Sequence, residues 1–210
     1  MEIHKFKESF QAAELALSLL KKYQETEINL CLTGGRFGSN LNSLIRKSNL
    51  NISNWKIFQT DERINSTDKE TIQLDIQKNI QVCRGYTSSN VFFLPKTLRE
   101  LSNNSDLISS NASKDIFDLV FLSLGEDGHL GGHFYNSEFC ENEIYCFTNN
   151  APKKPRKRIS YTMNYLFESK KIVLSCFGKS KKDALQDFLS GEGLHSFMKN
   201  HKDIILLTDL

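Results

Sequence analysis

The chain has 210 residues, of which 39% are hydrophobic and 25% charged, and its formal net charge is +2. This composition excludes a disordered tail and a membrane protein, and so small a charge does not mark nucleic acid as the partner. No apolar run approaches the roughly 20 residues that span a bilayer.

The opening MEIHKFKESFQAAELALSLLKK alternates charge with apolar residues and lacks an uninterrupted apolar h-region, so it is not read as a signal peptide and a cytoplasmic location is expected. Within it, Phe6, Phe10, Ala13, Leu17 and Leu20 are spaced by four and three, which predicts an amphipathic helix. INLCLT at 28–33 predicts a short buried strand, and GGRFGSN a glycine turn into a helix around Leu41–Ile45. NWKIFQ at 54–59 reads as a strand ending at TDER, followed by helical potential to about Ile80 and a brief strand VFFL at 91–94.

The Ser- and Asn-rich LSNNSDLISSNASKD, residues 101–115, predicts a surface loop or a poorly ordered helix connection. Then come the strand FDLVFLSL, the turn GEDGH, and a strand EIYCFT at 143–148. APKKPRKRISYT joins two prolines to a basic run and leads into a helical MNYLFES. KKIVLSCFG is a strand, KSKKDALQDFL a helix, and KDIILLTDL a last strand. The five cysteines are odd in number and form no CxxC pair, so they read as free thiols, with Cys31 and Cys176 as small core residues.

Strands alternating with helices predict one α/β domain over 1–210 with a mostly parallel sheet. Such sheets bind ligands at the carboxyl ends of their strands, near a topological switch point. The strand-end segments TGGRFG, TDER, GEDGH and FGKSK therefore carry the functional signal.

In LTGGRFGSN, Gly34 and Gly35 free the backbone so that consecutive N–H groups can face one anion, and the following helix adds its positive end. The spacing matches neither GxxxxGK[ST] nor GxGxxG, and a plain strand–helix turn stays open beside phosphate binding. TDER sets Asp61, Glu62 and Arg63 after a strand; taken alone, it fits a salt-bridged surface turn. In GEDGH, Gly125 and Gly128 bracket an acid that can reach His129, and a carboxylate on an imidazole fixes its tautomer and raises its basicity. His133 lies four residues on, but Gly131 and Gly132 disfavour the helix an H-x-x-x-H metal pair needs, and no metal is expected. PKKPRKR at 152–158 reads as a solvated basic loop or a nucleic-acid contact, with Arg158 at its boundary, and Lys181 opens a helix where an anion is favoured.

In this order the four stretches resemble the 6-phosphogluconolactonases, within the wider family that includes glucosamine-6-phosphate deaminases. LTGGRFG stands for that family's Gly-Gly phosphate loop, TDER for its DER motif, SLGEDGH for its DGH turn, and FGKSKKDAL for its G-x-x-K helix start. APKKPRKRISYT is similar to its proline- and lysine-rich segment, and ILLTD to its closing strand. DER and the P-K-x-P-x-x-R-I-S segment point to the lactonase branch. The chain departs from the pattern at Arg36-Phe37, at Leu130-Gly131-Gly132-His133, and at Glu70-Thr71.

The resemblance implies a single-domain Rossmann-like three-layer sandwich with a mostly parallel central sheet flanked by helices. It also implies hydrolysis of 6-phosphoglucono-δ-lactone to 6-phosphogluconate, a pentose phosphate pathway step, without metal or organic cofactor. The expected partner is a small-molecule sugar phosphate, and the expected state monomer or homodimer. On this reading His129 is the base, Asp127 orients it, and Arg63, held by Asp61, stabilises the oxyanion or binds substrate hydroxyls. Gly34, Gly35, Arg36, Arg158 and Lys181 would take the phosphate. A deaminase or isomerase on an amino-sugar phosphate, and a non-catalytic sugar-phosphate binder, are the alternatives.

Overall fold

The computed structural model describes residues 1–64, 71–97, 99–100, 116–135 and 144–210. Among them, seven strands form one sheet in which every neighbouring pair is parallel. They are β1 (Glu2–Lys5), β2 (Ile28–Leu32), β3 (Trp55–Gln59), β5 (Val91–Phe92), β6 (Leu119–Ser123), β9 (Lys171–Cys176) and β10 (Ile204–Thr208). A second sheet is antiparallel, with β4 (Asp61–Arg63), β8 (Arg158–Tyr161) and β7 (Tyr145–Thr148) in that order. The helices are α1 (Ser9–Lys21), α2 (Gly35–Lys47), α3 (Ile72–Ile80), α4 (Met163–Phe167) and α5 (Lys182–Ser190).

Both faces of the large sheet are covered, and the strand period of two divides its side chains between two cores. In β6, Leu119 and Phe121 join the core under α1, α2 and α3, while Val120 and Leu122 join the other. β10 divides likewise, Ile205 and Leu207 against Ile204 and Leu206. The second core packs under α4, α5 and the small sheet, through Met163, Leu166, Phe188, Ile159 and Tyr161. The result is the expected α/β fold with a mostly parallel central sheet.

Strand order in the large sheet is β1-β10-β9-β6-β2-β3-β5. From β2 the chain works outward through β3 to β5, then returns to the other side of β2 as β6. The direction reverses between β2 and β6, so their carboxyl ends flank the switch point where such sheets bind ligands. The glycine segment leaves β2 there, and GEDGH leaves β6.

Several elements differ from expectation. The first helix begins at Ser9, and its buried stripe is Ala12, Ala13, Ala16 and Leu20, while Phe10 is exposed. Residues 2–5 instead form β1, an edge strand with no buried residue and hence no periodic signal. The glycine turn is shorter than expected, because α2 starts at Gly35. Gly38 lies inside that helix, where a Cβ would fall 2.0 Å from the Thr33 carbonyl oxygen; it permits close approach of the helix to the end of β2. Asp61–Arg63 of TDER is a strand of the small sheet with Asp61 and Glu62 buried, not a surface turn. Arg158–Tyr161, read as the end of a basic loop, is β8 with all four residues buried. The segment 101–115, Glu70 and Cys140 lie outside the described residues.

Candidate active site

A cleft of about 350 Å³ opens at the switch point. Its lining includes Thr33, Gly34 and Gly35 after β2, Asp61 and Arg63 of β4, Ser123 at the end of β6, and Leu124 to Asp127 with His129 beyond it. The basic segment contributes Pro152, Lys153, Lys154 and Arg158, and Lys181 comes from the start of α5. Eight of the nine site residues expected from sequence therefore share one cleft. The ninth, Arg36, is exposed on the first turn of α2 and does not line it.

The GEDGH turn is closed by its own backbone. Gly125 N donates to the His129 carbonyl at 2.8 Å, Gly128 N to the Gly125 carbonyl at 3.2 Å, and Leu124 bridges Leu130. Gly128 takes φ +79°, a left-handed value that favours glycine. Gly125 is needed for another reason: a Cβ there would fall 2.1 Å from His129 Nδ1. The imidazole lies against the bare glycine backbone, and its Nδ1 hydrogen-bonds Asp127 Oδ1. Phe134 flanks the ring, centroids 4.6 Å apart. Burial pushes the Asp127 carboxyl up, but its hydrogen bond to His129 and that ring's charge outweigh burial and hold it below the usual range. With Nδ1 bound to a carboxylate, the ring's lone pair sits on Nε2.

Asp61 accepts a hydrogen bond from Thr60 Oγ1 at 2.7 Å. Burial raises its carboxyl, opposed by the Thr60 bond and then by the charges of Arg158, His129 and Arg63. Arg158 thus acts on Asp61 more strongly than Arg63, the partner expected from the motif. Arg158 itself donates to three carbonyls of the basic segment: Nη1 to Pro155 and Lys157, Nη2 to Lys153. It holds that segment over the cleft. Burial lowers the Lys181 ammonium, and the nearby charge of Arg36 pushes the same way, while Cys176, Glu126 and Asp209 oppose. Lys153 pairs with Glu126 at the cleft edge.

His133 is turned away from the cleft. Its ring is buried, with Nε2 2.8 Å from the Tyr161 carbonyl oxygen, and it stands perpendicular to His195 at 6.0 Å. His129 and His133 therefore serve different surroundings. The intervening glycines lie flush on the small sheet: a Cβ on Gly132 would meet Ser160 Cβ at 2.9 Å, and Gly132 N donates to Ser160 Oγ at 3.2 Å. This close approach accounts for Leu-Gly-Gly after the histidine.

A family model described as glucosamine-6-phosphate isomerases/6-phosphogluconolactonase matches residues 8–198. The chain belongs to this family. A 6-phosphogluconolactonase of Borreliella burgdorferi is 32% identical over 203 residues, covering 90% of this chain and 86% of that protein. A glucosamine-6-phosphate deaminase of Lactobacillus johnsonii is 24% identical over 233 residues, covering 100% and 95%. Among solved structures, the 6-phosphogluconolactonase of Leishmania guyanensis superposes with TM-score 0.84 at 18% identity, covering 99% and 95%. That of Thermotoga maritima gives TM-score 0.81 at 19%, covering 99% and 98%.

Within the glucosamine-6-phosphate isomerase/6-phosphogluconolactonase family's fold, some cleft residues had no sequence signal. Ile72 follows a polar stretch, and Phe134 reads as core. Lys153 was one of five cations in a run, and its acidic neighbour Glu126 is distant in sequence. Glu62 lies behind the cleft, and only strand alternation within TDER could have separated it from Asp61 and Arg63.

Proposed function

We propose that this chain hydrolyses 6-phosphoglucono-δ-lactone to 6-phosphogluconate, with His129 as general base. The observation that carries the reading is the Asp127–His129 pair standing in one cleft with a glycine loop and the cations Arg63, Arg158 and Lys181. The 32% identity to a 6-phosphogluconolactonase supports it. A lactone is an activated ester, so a positioned base and a cationic stabiliser suffice without metal. His129 Nε2 takes a proton from water as the water oxygen attacks the lactone carbonyl. Asp127 keeps the ring in the required tautomer and stabilises the imidazolium that forms. Arg63, on the facing β4 arm, stabilises the oxyanion; collapse expels the ring oxygen, which takes the proton back. The phosphate sits on the Gly34–Gly35 backbone, with Lys181 as direct cation and Arg158 adding charge while shaping the loop.

Acid release from the lactone at constant pH, corrected for spontaneous hydrolysis, tests the proposal. We expect turnover by the wild type and a loss of about 10²–10⁴-fold in kcat for His129→Ala, with its circular dichroism unchanged. Near-normal turnover in that variant would remove His129 as the base. Ammonia release from glucosamine 6-phosphate in place of lactone hydrolysis would mark a deaminase.

A further inference from the structure

Glu62, the middle residue of TDER, has no role in the chemistry above. Alternation along β4 sends Asp61 and Arg63 to the cleft and Glu62 behind it, where it is 0% exposed. A buried carboxylate is costly unless its oxygens are satisfied, and four N–H donors converge on this one. Oε1 accepts from Arg63 N at 2.6 Å and Ile72 N at 3.1 Å; Oε2 accepts from Gln73 N at 2.7 Å and Gln59 Nε2 at 3.0 Å.

Two of these donors are the first amides of α3, which have no partner inside the helix. The third amide, Leu74 N, donates to Thr71 Oγ1 at 3.3 Å. Glu62 therefore fastens the first turn of α3 to β4, across ten residues of chain. The same helix is fastened to α2, because Asp75 Oδ2 accepts from Ser39 Oγ at 3.0 Å and Asn42 Nδ2 at 2.9 Å. Ile72 sits between these attachments. It lines the cleft, and it lies so close to Gly34 that a Cβ on that glycine would be 2.7 Å from Ile72 Cγ1.

From these contacts we infer that Glu62 is a positioning residue, whose carboxylate sets the separation between the Asp61–Arg63 arm and the Gly34–Gly35 loop through the first turn of α3 and Ile72. It touches no substrate. It fixes where a phosphate bound at the glycine loop stands relative to the groups that act on the other end of the ligand. The kinetic side of the inference rests on the lactonase reading; the structural side does not.

Glu62→Gln keeps the volume but replaces one acceptor by an amide NH₂. Whichever way that amide turns, its NH₂ faces two of the four donors. Gln59 Oε1, buried and without a partner among the described residues, can relieve part of this only by turning Gln59 Nε2 away from the Asp61 carbonyl, to which it now donates at 3.0 Å. At least one amide of the α3 turn or of β4 is left unpaired, and the turn shifts.

The test is hydrogen exchange of the ligand-free protein combined with kinetics, on the wild type, Glu62→Gln and Ile72→Ala. We expect Glu62→Gln to exchange roughly tenfold faster in peptides over 33–38 and 72–75, with β9 and β10 unchanged. KM for the lactone should rise roughly tenfold in both variants, with kcat within about threefold of wild type in Ile72→Ala, which leaves the Asp127–His129 turn and the Arg63 backbone bond in place. The double variant should be no weaker than the worse single one, since both act through one contact. Unchanged exchange at 33–38 in Glu62→Gln overturns the inference, as does uniformly faster exchange, which would mean a general loss of stability. If Glu62→Gln does not fold, Ile72→Ala decides: wild-type exchange at 33–38 sinks the link from α3 to the loop. A wild type without lactone turnover defeats the functional reading alone, and the exchange pattern still decides the positioning role.

Discussion

Arg36 stands on the first turn of α2, outside the cleft yet near enough to Lys181 to disfavour that ammonium. Two neighbouring cations gain when an anion settles between them, and guanidinium has five donors to offer it. Arg36→Ser is therefore expected to weaken 6-phosphogluconate binding by about two- to fivefold, the range for one exposed charge, and to flatten its salt dependence. Calorimetry at two ionic strengths checks this, and an unchanged affinity would take Arg36 out of the anion site. The Asp127–His129 pair was legible in the sequence because its partners lie two residues apart within one turn. The reason for Gly125 was not: the clash it avoids is with a ring folded back over it. Arg158 reads as one cation among five, and only the structure shows its donors turned onto the carbonyls of its own loop.

Among the elements, α2 depends most on a single close contact. A methyl group at Gly38 would overlap the Thr33 carbonyl oxygen, a backbone atom that cannot swing aside. Gly38→Ala is expected to destabilise the fold by about 1–3 kcal/mol despite alanine's better helix propensity, as urea unfolding would show. Stability equal to or above wild type would mean that α2 slides freely along β2. The buried parallel strands were readable because each is an apolar run ending in a polar segment. β4 and β8 were not, since the two strands pair and bury Asp61, Glu62 and Arg158, residues that leave no apolar pattern. β1 was hidden because pairing with β10 rests on backbone bonds, which leave no mark on side-chain choice.

At the scale of the whole molecule, the buried histidines make stability depend on pH. Burial, then the charge of His133, lowers His195 to about 4, and burial also lowers His133. His195 Nε2 lies 3.4 Å from the His133 carbonyl oxygen, and its Nδ1 has no partner among the described residues. Between the ordinary value of 6.5 and about 4, the unfolded chain binds a proton at His195 that the folded chain refuses. Stability therefore rises with pH through that window and is lost as pH falls. From pH 7 to pH 5 the His195 share of the loss is about 2 kcal/mol. His195→Gln should lose that much less over the same interval in urea unfolding; buried Asp61 and Glu62, whose raised carboxyls act in the opposite sense, are common to both proteins and cancel. Equal slopes would remove His195 as the cause. The reversal of strand order between β2 and β6 also bears on how the chain reaches this state. The cleft draws its walls from segments between Thr33 and Lys181, brought together by parallel pairings that require long loops to close. During refolding, helical signal from α1 and α2 should return early, and the capacity to bind a sugar phosphate only after β6 has docked against β2 and β9 against β6. Ligand binding then reports the last step of assembly, and a refolding chain is blind to its substrate until the sheet is whole.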